Sequence, residues 1–165
     1  MSWLPAFEKL LEEIDDQVRS AYGDRLVSLV VYGSVGRRTP RPDSDVDLLL
    51  VAREIPDGRT SRMEQFTELV EKPLAPFLSD AQKNGADTFL SCAIKTPDEV
   101  QAGSPLFLDM TEDARILFDR DGFFADYLEG LRGRLRGLGS RRIWRGNAWF
   151  WDLKPDFKPG DKIEL

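Results

Sequence analysis

Two apolar runs, close together in the chain, constrain the fold more than any other feature. Leu26–Tyr32 (LVSLVVY) is β-branched and apolar on both of its alternating faces, and Asp45–Ala52 (DVDLLLVA) ends in an unbroken apolar stretch. Continuous runs of this kind read as strands buried on both sides. Between them lies a turn-rich segment in which Pro40 and Pro42 remove donors and fix φ, so 39–43 can be neither helix interior nor central strand. Two buried strands joined by a loop need helices packed against them. The expected class is α/β (or α+β), a small mixed sheet of three to four strands flanked by helices.

The remaining elements follow from periodicity and punctuation. Leu4, Phe7, Leu10, Leu11, Ile14 and Val18 recur at helical spacing, and Gly23 is placed to end that helix, giving 4–22. Ser61 and Glu64 have capping-box spacing before a helix over 61–72, and Pro73 and Pro76 are expected to interrupt a second helical piece that runs to Asn84-Gly85. Residues 88–94 form a third strand. Thr96-Pro97-Asp98-Glu99 is a helix start, with Thr as cap, Pro in the first turn and an acid at the third position. A short helix over 106–114, an edge strand over 115–118 and a last helix over 123–138 complete the order. The expected domain is 1–138. The stretch 139–165 is expected to pack on the same domain in irregular form, because Trp144, Trp149, Phe150, Trp151 and Phe157 make it too aromatic for disorder.

Composition excludes several chemistries. The 165 residues contain no histidine and one cysteine. Ser-His-Asp and Cys-His arrangements, His-ligated zinc and an internal disulfide are therefore impossible within the chain. Cys92 reads as a small core residue. The net charge of −6 makes the molecule as a whole no electrostatic trap for nucleic acid. Arg132, Arg134, Arg136, Arg141, Arg142 and Arg145 form a local basic run beside Trp144. It reads more simply as a solvated helix face and loop, with arginine stems covering aromatics, than as a nucleic-acid contact. No stretch approaches the roughly 20 apolar residues of a membrane span, and the N-terminus lacks the features of a secretion signal, so the cytosol is the expected compartment.

What chemistry remains is concentrated around the loop. After the first strand, Gly33 permits a tight turn and close backbone approach to a ligand, and the Ser34 hydroxyl can donate to a phosphate oxygen. Arg37 and Arg38 are near enough to neutralise more of that charge. Asp45 and Asp47 stand two positions apart, so on a strand both carboxylates face the same side. Like charges so placed repel unless a cation lies between them, and Mg²⁺ commonly takes one or two carboxylates together with substrate phosphates. Three rival motifs fail on the residues. An EF-hand loop needs Gly where Leu48 stands, a nucleophile elbow needs Gly where Tyr32 stands, and a P-loop needs a G-K-[ST] ending that is absent.

Together, Gly33-Ser34, Arg37 and Ser44-Asp45-x-Asp47 between two strands resemble the signature of the DNA-polymerase-β-like nucleotidyltransferase superfamily, and most of all its minimal, single-domain prokaryotic type. The resemblance implies the nucleotidyltransferase fold and transfer of NMP from an NTP to a hydroxyl of a protein, an RNA or a small molecule. It implies two Mg²⁺ ions held by Asp45 and Asp47, and a nucleotide whose triphosphate is bound by Gly33 and Ser34; Arg37, Arg38 and Ser44 are the further residues expected to contact that nucleotide. It also implies a third acid on the next strand. That strand has no acid inside it. Parallel pairing with the second strand would bring Asp87, at its start, towards Asp45 and Asp47, which makes Asp87 the first candidate for metal binding and catalysis. Ser91 instead standing in the acid's position, or Glu99 or Asp109 supplying it, are the alternatives. The other expectation is a catalytically weak binding module, an antitoxin-like partner of another protein. Small members of the superfamily often need a partner protein or a second copy to cover the site.

Overall fold

The computed structural model describes residues 3–165. A four-stranded sheet in the order β3-β2-β1-β4 lies between two helical layers. In chain order the elements are α1 (Trp3–Tyr22), β1 (Leu26–Tyr32), α2 (Gly33–Gly36), β2 (Val46–Ala52), α3 (Arg59–Phe66), α4 (Lys72–Lys83), β3 (Leu90–Lys95), α5 (Pro97–Ala102), α6 (Leu106–Asp113), β4 (Arg115–Asp119), α7 (Phe123–Leu138), β5 (Arg141–Arg145) and β6 (Ala148–Asp152). β1 is antiparallel to β2 and β4, whereas β2 and β3 are parallel, joined by the α3–α4 crossover. The sheet is therefore mixed.

The unbroken apolar run of β2 has a direct explanation in the layers. Leu48, Leu50 and Ala52 enter one core with Phe7, Leu10, Ile14 and Val18 of α1 and Phe66, Val70 and Leu74 of the crossover. Leu49 and Val51 enter a second core with Val100, Phe107, Met110, Phe124 and Leu128 of α5, α6 and α7. A central strand with a helical layer on each face has no solvent side, so no residue from 48 to 52 can be polar. β3 and β4, at the edges, are less completely buried.

The structure departs from the sequence reading at three places. Ser61 caps nothing. α3 begins two residues earlier, at Arg59, after Gly58 at φ 84°. Pro73 and Pro76 do not interrupt the crossover. Residues Thr67–Glu71 widen into a π-helical turn, with the Lys72 N–H donating to Thr67 O, and α4 continues through both prolines. Pro73 falls in the first turn of α4, where its missing N–H costs least. The aromatic tail is not irregular: β5 and β6 pair as an antiparallel hairpin, with Trp144 opposite Trp149 and Arg142 opposite Trp151. The Thr96 capping box is formed on both sides.

α7 is tied to the sheet by one carboxylate. Asp119, the last residue of β4, accepts from the amides of Phe124 and Ala125 at 2.9 Å each and from the buried Ser28 hydroxyl at 2.7 Å. Asp119→Ala removes the cap and orphans a buried donor. A loss of about 1–2 kcal/mol in urea unfolding is expected.

Candidate nucleotide and metal site

The site grows from the junction of β1 with α2. β1 ends at Tyr32, and the chain turns at Gly33, whose φ of 66° lies in the left-handed region. A Cβ at Gly33 would collide with Oδ2 of Asp47, so the backbone there rests directly against that carboxylate. α2 is a single turn: the Arg37 N–H closes it on Gly33 O at 3.0 Å. The amides of Gly33, Ser34 and Val35 precede that first bond and belong to the set a helix start leaves unpaired. Gly36 serves a different purpose. A Cβ there would stand 2.6 Å from Asp113 O and 3.0 Å from Val31 O, so this glycine lets α6 and β1 close on α2.

The sheet register fixes the rest. Asp47 pairs with Tyr32 on one side and with Ser91 on the other, so the three form a row across β1, β2 and β3. Asp45 lies just before β2 and is half-buried, as is Asp47. Among the described residues, neither carboxylate has a hydrogen-bond or ion-pair partner. Burial, and then the charge of Asp45, push the Asp47 carboxyl above the ordinary carboxylate range, against the opposing pull of Arg37. Burial, and then Asp47, push the Tyr32 phenol up to about 12. Two unpaired carboxylates, one against a bare backbone turn, form a hard-oxygen donor set of the kind Mg²⁺ completes with phosphate oxygens and water.

The other candidate residues are distributed unequally around this centre. Arg37 is present but engaged: it bonds Asp113 at 3.0 Å, and its guanidinium carbon lies 5.2 Å from the Trp149 ring centroid. Arg38 is exposed, at φ 62°, and its charge acts on Glu8 of α1. The Ser44 hydroxyl is used within the loop, accepting from the Arg41 amide at 2.9 Å.

Asp87 is not gathered with Asp45 and Asp47. Its amide bonds Pro42 O and its exposed carboxylate accepts from Gln82 at 3.0 Å. Among the described residues no group of three His, Cys, Asp or Glu side chains could share a metal ion. The register explains this: Val46 pairs with Leu90, which leaves Asp87 beyond the strand end and level with the loop. Ser91 is the β3 residue level with Asp47. Glu99 is taken by a bidentate bond to Arg62 at 2.8 Å, and Asp109 by the indole N–H groups of Trp149 and Trp151 at 2.7 and 2.8 Å.

Two features of the surroundings had no signal in the residue pattern. A cleft of 430 Å³ opens beside the row, lined by Tyr32, Ser91, Cys92, Arg62, Lys95 and Ser104 among others. Asp113, only 4% exposed, sits between Arg37 and Arg142, and so ties the turn after β1 to the C-terminal hairpin. Only the reach of the tail back onto α6 reveals this triad. The basic run is partly engaged: Arg142 bonds Asp113, Arg132 bonds Thr111 O and Arg136 lies near Glu129, while Arg134, Arg141 and Arg145 are exposed.

Residues 11–80 match the family model described as nucleotidyltransferase domain. A protein of Methanocaldococcus jannaschii, provisionally described as a protein adenylyltransferase, is 29% identical over 142 residues, covering 85% of this chain and 90% of its own length. An aminoglycoside nucleotidyltransferase (4') of Staphylococcus aureus is 40% identical over 43 residues, 26% of this chain and 17% of that enzyme. Among solved structures, one from Sulfolobus solfataricus, provisionally described as a nucleotidyltransferase, aligns over 73% of this chain and 90% of its own, with 15% identity and a TM-score of 0.44. The chain resembles nucleotidyltransferases, with a domain-model match over residues 11–80. The Gly33-Ser34 and Asp45-x-Asp47 signature lies inside the matched segment.

The raised carboxyl at Asp47 has a consequence for stability. A carboxyl that holds its proton more tightly folded than unfolded loses stability as pH rises from its ordinary value of 3.8 through the raised one, and the deficit persists at neutral pH. Without divalent cation, Asp47→Asn is therefore expected to melt at a higher temperature than wild type at pH 7. The gap should close as the pH is brought below the carboxylate range. Calorimetric scans across pH check both.

Proposed function

We propose that this protein is a nucleotidyltransferase that moves NMP from an NTP to a hydroxyl, with ATP as donor and a protein hydroxyl as acceptor. The observation that carries the reading is the pair of unpaired carboxylates, Asp45 and Asp47, set against the bare turn at Gly33-Ser34. The donor and acceptor classes are supported by the Methanocaldococcus jannaschii relative and its description as a protein adenylyltransferase.

In this reading the amides at Gly33, Ser34 and Val35 and the Ser34 hydroxyl receive the triphosphate. Asp45 and Asp47 hold Mg²⁺. When bound, the ions supply Lewis-acid stabilisation of charge on the attacking and leaving oxygens. The acceptor hydroxyl oxygen attacks the α-phosphorus and gives up its proton to water, the bond from that phosphorus to the oxygen bridging the α- and β-phosphates breaks, and pyrophosphate leaves. Arg37, held between Asp113 and Trp149, is a positioned cation near the developing negative charge. Asp47 does two things at once: it supplies an oxygen ligand, and through its contact with Gly33 it fixes how closely the phosphate turn approaches.

The test is transfer of label from α-labelled ATP into lysate proteins with Mg²⁺. Asp45→Ala and Asp47→Ala are each expected to retain less than about one-hundredth of wild-type transfer. No Asp-dependent labelling with any of the four NTPs overturns the enzyme reading.

A second reading, a nucleotide-binding module that docks another protein, is favoured by one observation: the β3 residue level with Asp47 is Ser91, not an acid. The two readings separate at that position. Ser91→Asp supplies a third carboxylate in the row, so Mn²⁺ should bind at least about tenfold more tightly by calorimetry. In the enzyme reading, transfer rises with it. In the module reading, wild type and Ser91→Asp both transfer nothing, and a stoichiometric partner is recovered instead.

A further inference from the structure

The C-terminal hairpin presents an aromatic ring that its own packing does not need. Trp149 and Trp151 face α6 and donate their indole N–H groups to Asp109. Trp144, cross-strand from Trp149 and therefore on the same face of the hairpin, is 50% exposed. Its ring centroid lies 4.8 Å from that of Trp149 at an interplanar angle of 52°. Arg142 holds the pair from one side, with its guanidinium 5.1 Å from the Trp144 centroid and 5.0 Å from the Trp149 centroid, and is itself pinned to buried Asp113. Trp144 is thus a large flat side chain on a braced backbone, backed by a second ring and a cation, with half its surface left to solvent.

Its location gives that surface an occupant. Trp149, which backs Trp144, carries the Arg37 guanidinium on its ring, and Arg37 closes the single turn that starts at Gly33-Ser34. Arg37 is also close enough for its charge to act on Asp47. Trp144 therefore lies two ring contacts from the cation beside the phosphate turn. We propose that Trp144, backed by Trp149 and Arg142, is the stacking surface for the base of the nucleotide whose phosphates sit at Gly33-Ser34. This rests on the nucleotidyltransferase reading above and adds to it the place of the base. Every nucleobase offers a π-face, so a stacking wall binds all of them and discriminates weakly. The surface accordingly predicts broad NTP use set by stacking strength, purines above pyrimidines.

The experiment compares two probes on three proteins. AMP-PNP has a base, whereas inorganic tripolyphosphate has none. Both are titrated by calorimetry, with Mg²⁺, into wild type, Trp144→Ala and Trp144→Phe, with equal melting temperatures showing that the variants fold. Base stacking on one aromatic side chain typically amounts to about tenfold or more in affinity. AMP-PNP should bind Trp144→Ala about tenfold more weakly than wild type, and Trp144→Phe nearly as well as wild type, while tripolyphosphate binds all three alike. Equal AMP-PNP affinity for wild type and Trp144→Ala overturns the stacking role and leaves the phosphate site standing. Failure of wild type to bind either probe overturns both the stacking role and the nucleotide reading. A loss in Trp144→Ala that is equal for both probes also overturns it, since the ring would then serve the phosphate site and not the base.

Discussion

The contact between the Gly33 backbone and the Asp47 carboxylate is the constraint around which this molecule is arranged. It exists because β1 and β2 are antiparallel neighbours in a register that sets Tyr32 opposite Asp47, so the first residue after β1 arrives beside the second residue of β2. The strands can hold that register because each is buried on both sides, and a one-residue slip would exchange the residues of the two cores. The apolar runs thus do more than fill the interior: they determine to within one residue where the Asp47 carboxylate meets the turn at Gly33. The unfavourable environment of Asp47 is part of the same design, since a half-buried, unpaired carboxylate next to another is poor for the empty protein and suited to one that binds a cation.

Most of the fold was legible in the chain because its signals were local. The span of β1, the cap at Thr96 and the last helix at 123–138 each rest on residues within a turn or two of one another, and each is formed as read. The misreadings share a cause. Pro73 and Pro76 are strong breakers in isolation, but a π-helical turn over Thr67–Glu71 leads directly into α4, which takes Pro73 in its first turn and carries Pro76 inside it. The aromatic tail has no strand alternation strong enough to stand out among its Gly and Pro residues. Its pairing depends on indoles finding Asp109, forty residues earlier in the chain.

The site divides in the same way. Gly33, Ser34, Asp45 and Asp47 could be singled out as candidates because they are marked by spacing along two strands and a loop, and the fold sets Gly33 against Asp47. The third position depends on inter-strand register, which no spacing reveals. Asp87 is near β3 in sequence, but β3 starts at Leu90, and three residues along a strand span roughly 10 Å. That offset places a serine, and not an acid, beside Asp47. Asp113 illustrates the other limit. Nothing in its neighbourhood marks it out from other helix-terminal acids, yet it is buried between two arginines from segments 29 residues apart on one side and 76 on the other.

Gly36 lies three residues after Gly33, and the side on which a Cβ would stand faces α6 and β1. It acts as a spacer whose thickness is that of a hydrogen atom. With backbone oxygens of α6 and β1 at 2.6 and 3.0 Å from where a side chain would begin, the distance between α2 and α6 has no slack. The hairpin hangs from α6 through Asp109 and Asp113. A methyl group added at Gly36 would therefore be felt first as a displacement of α6, and then, carried along that helix, as a shift of the aromatic wall relative to the turn. Motif matching would score such a change as conservative. Geometrically it moves the hairpin relative to the turn at Gly33.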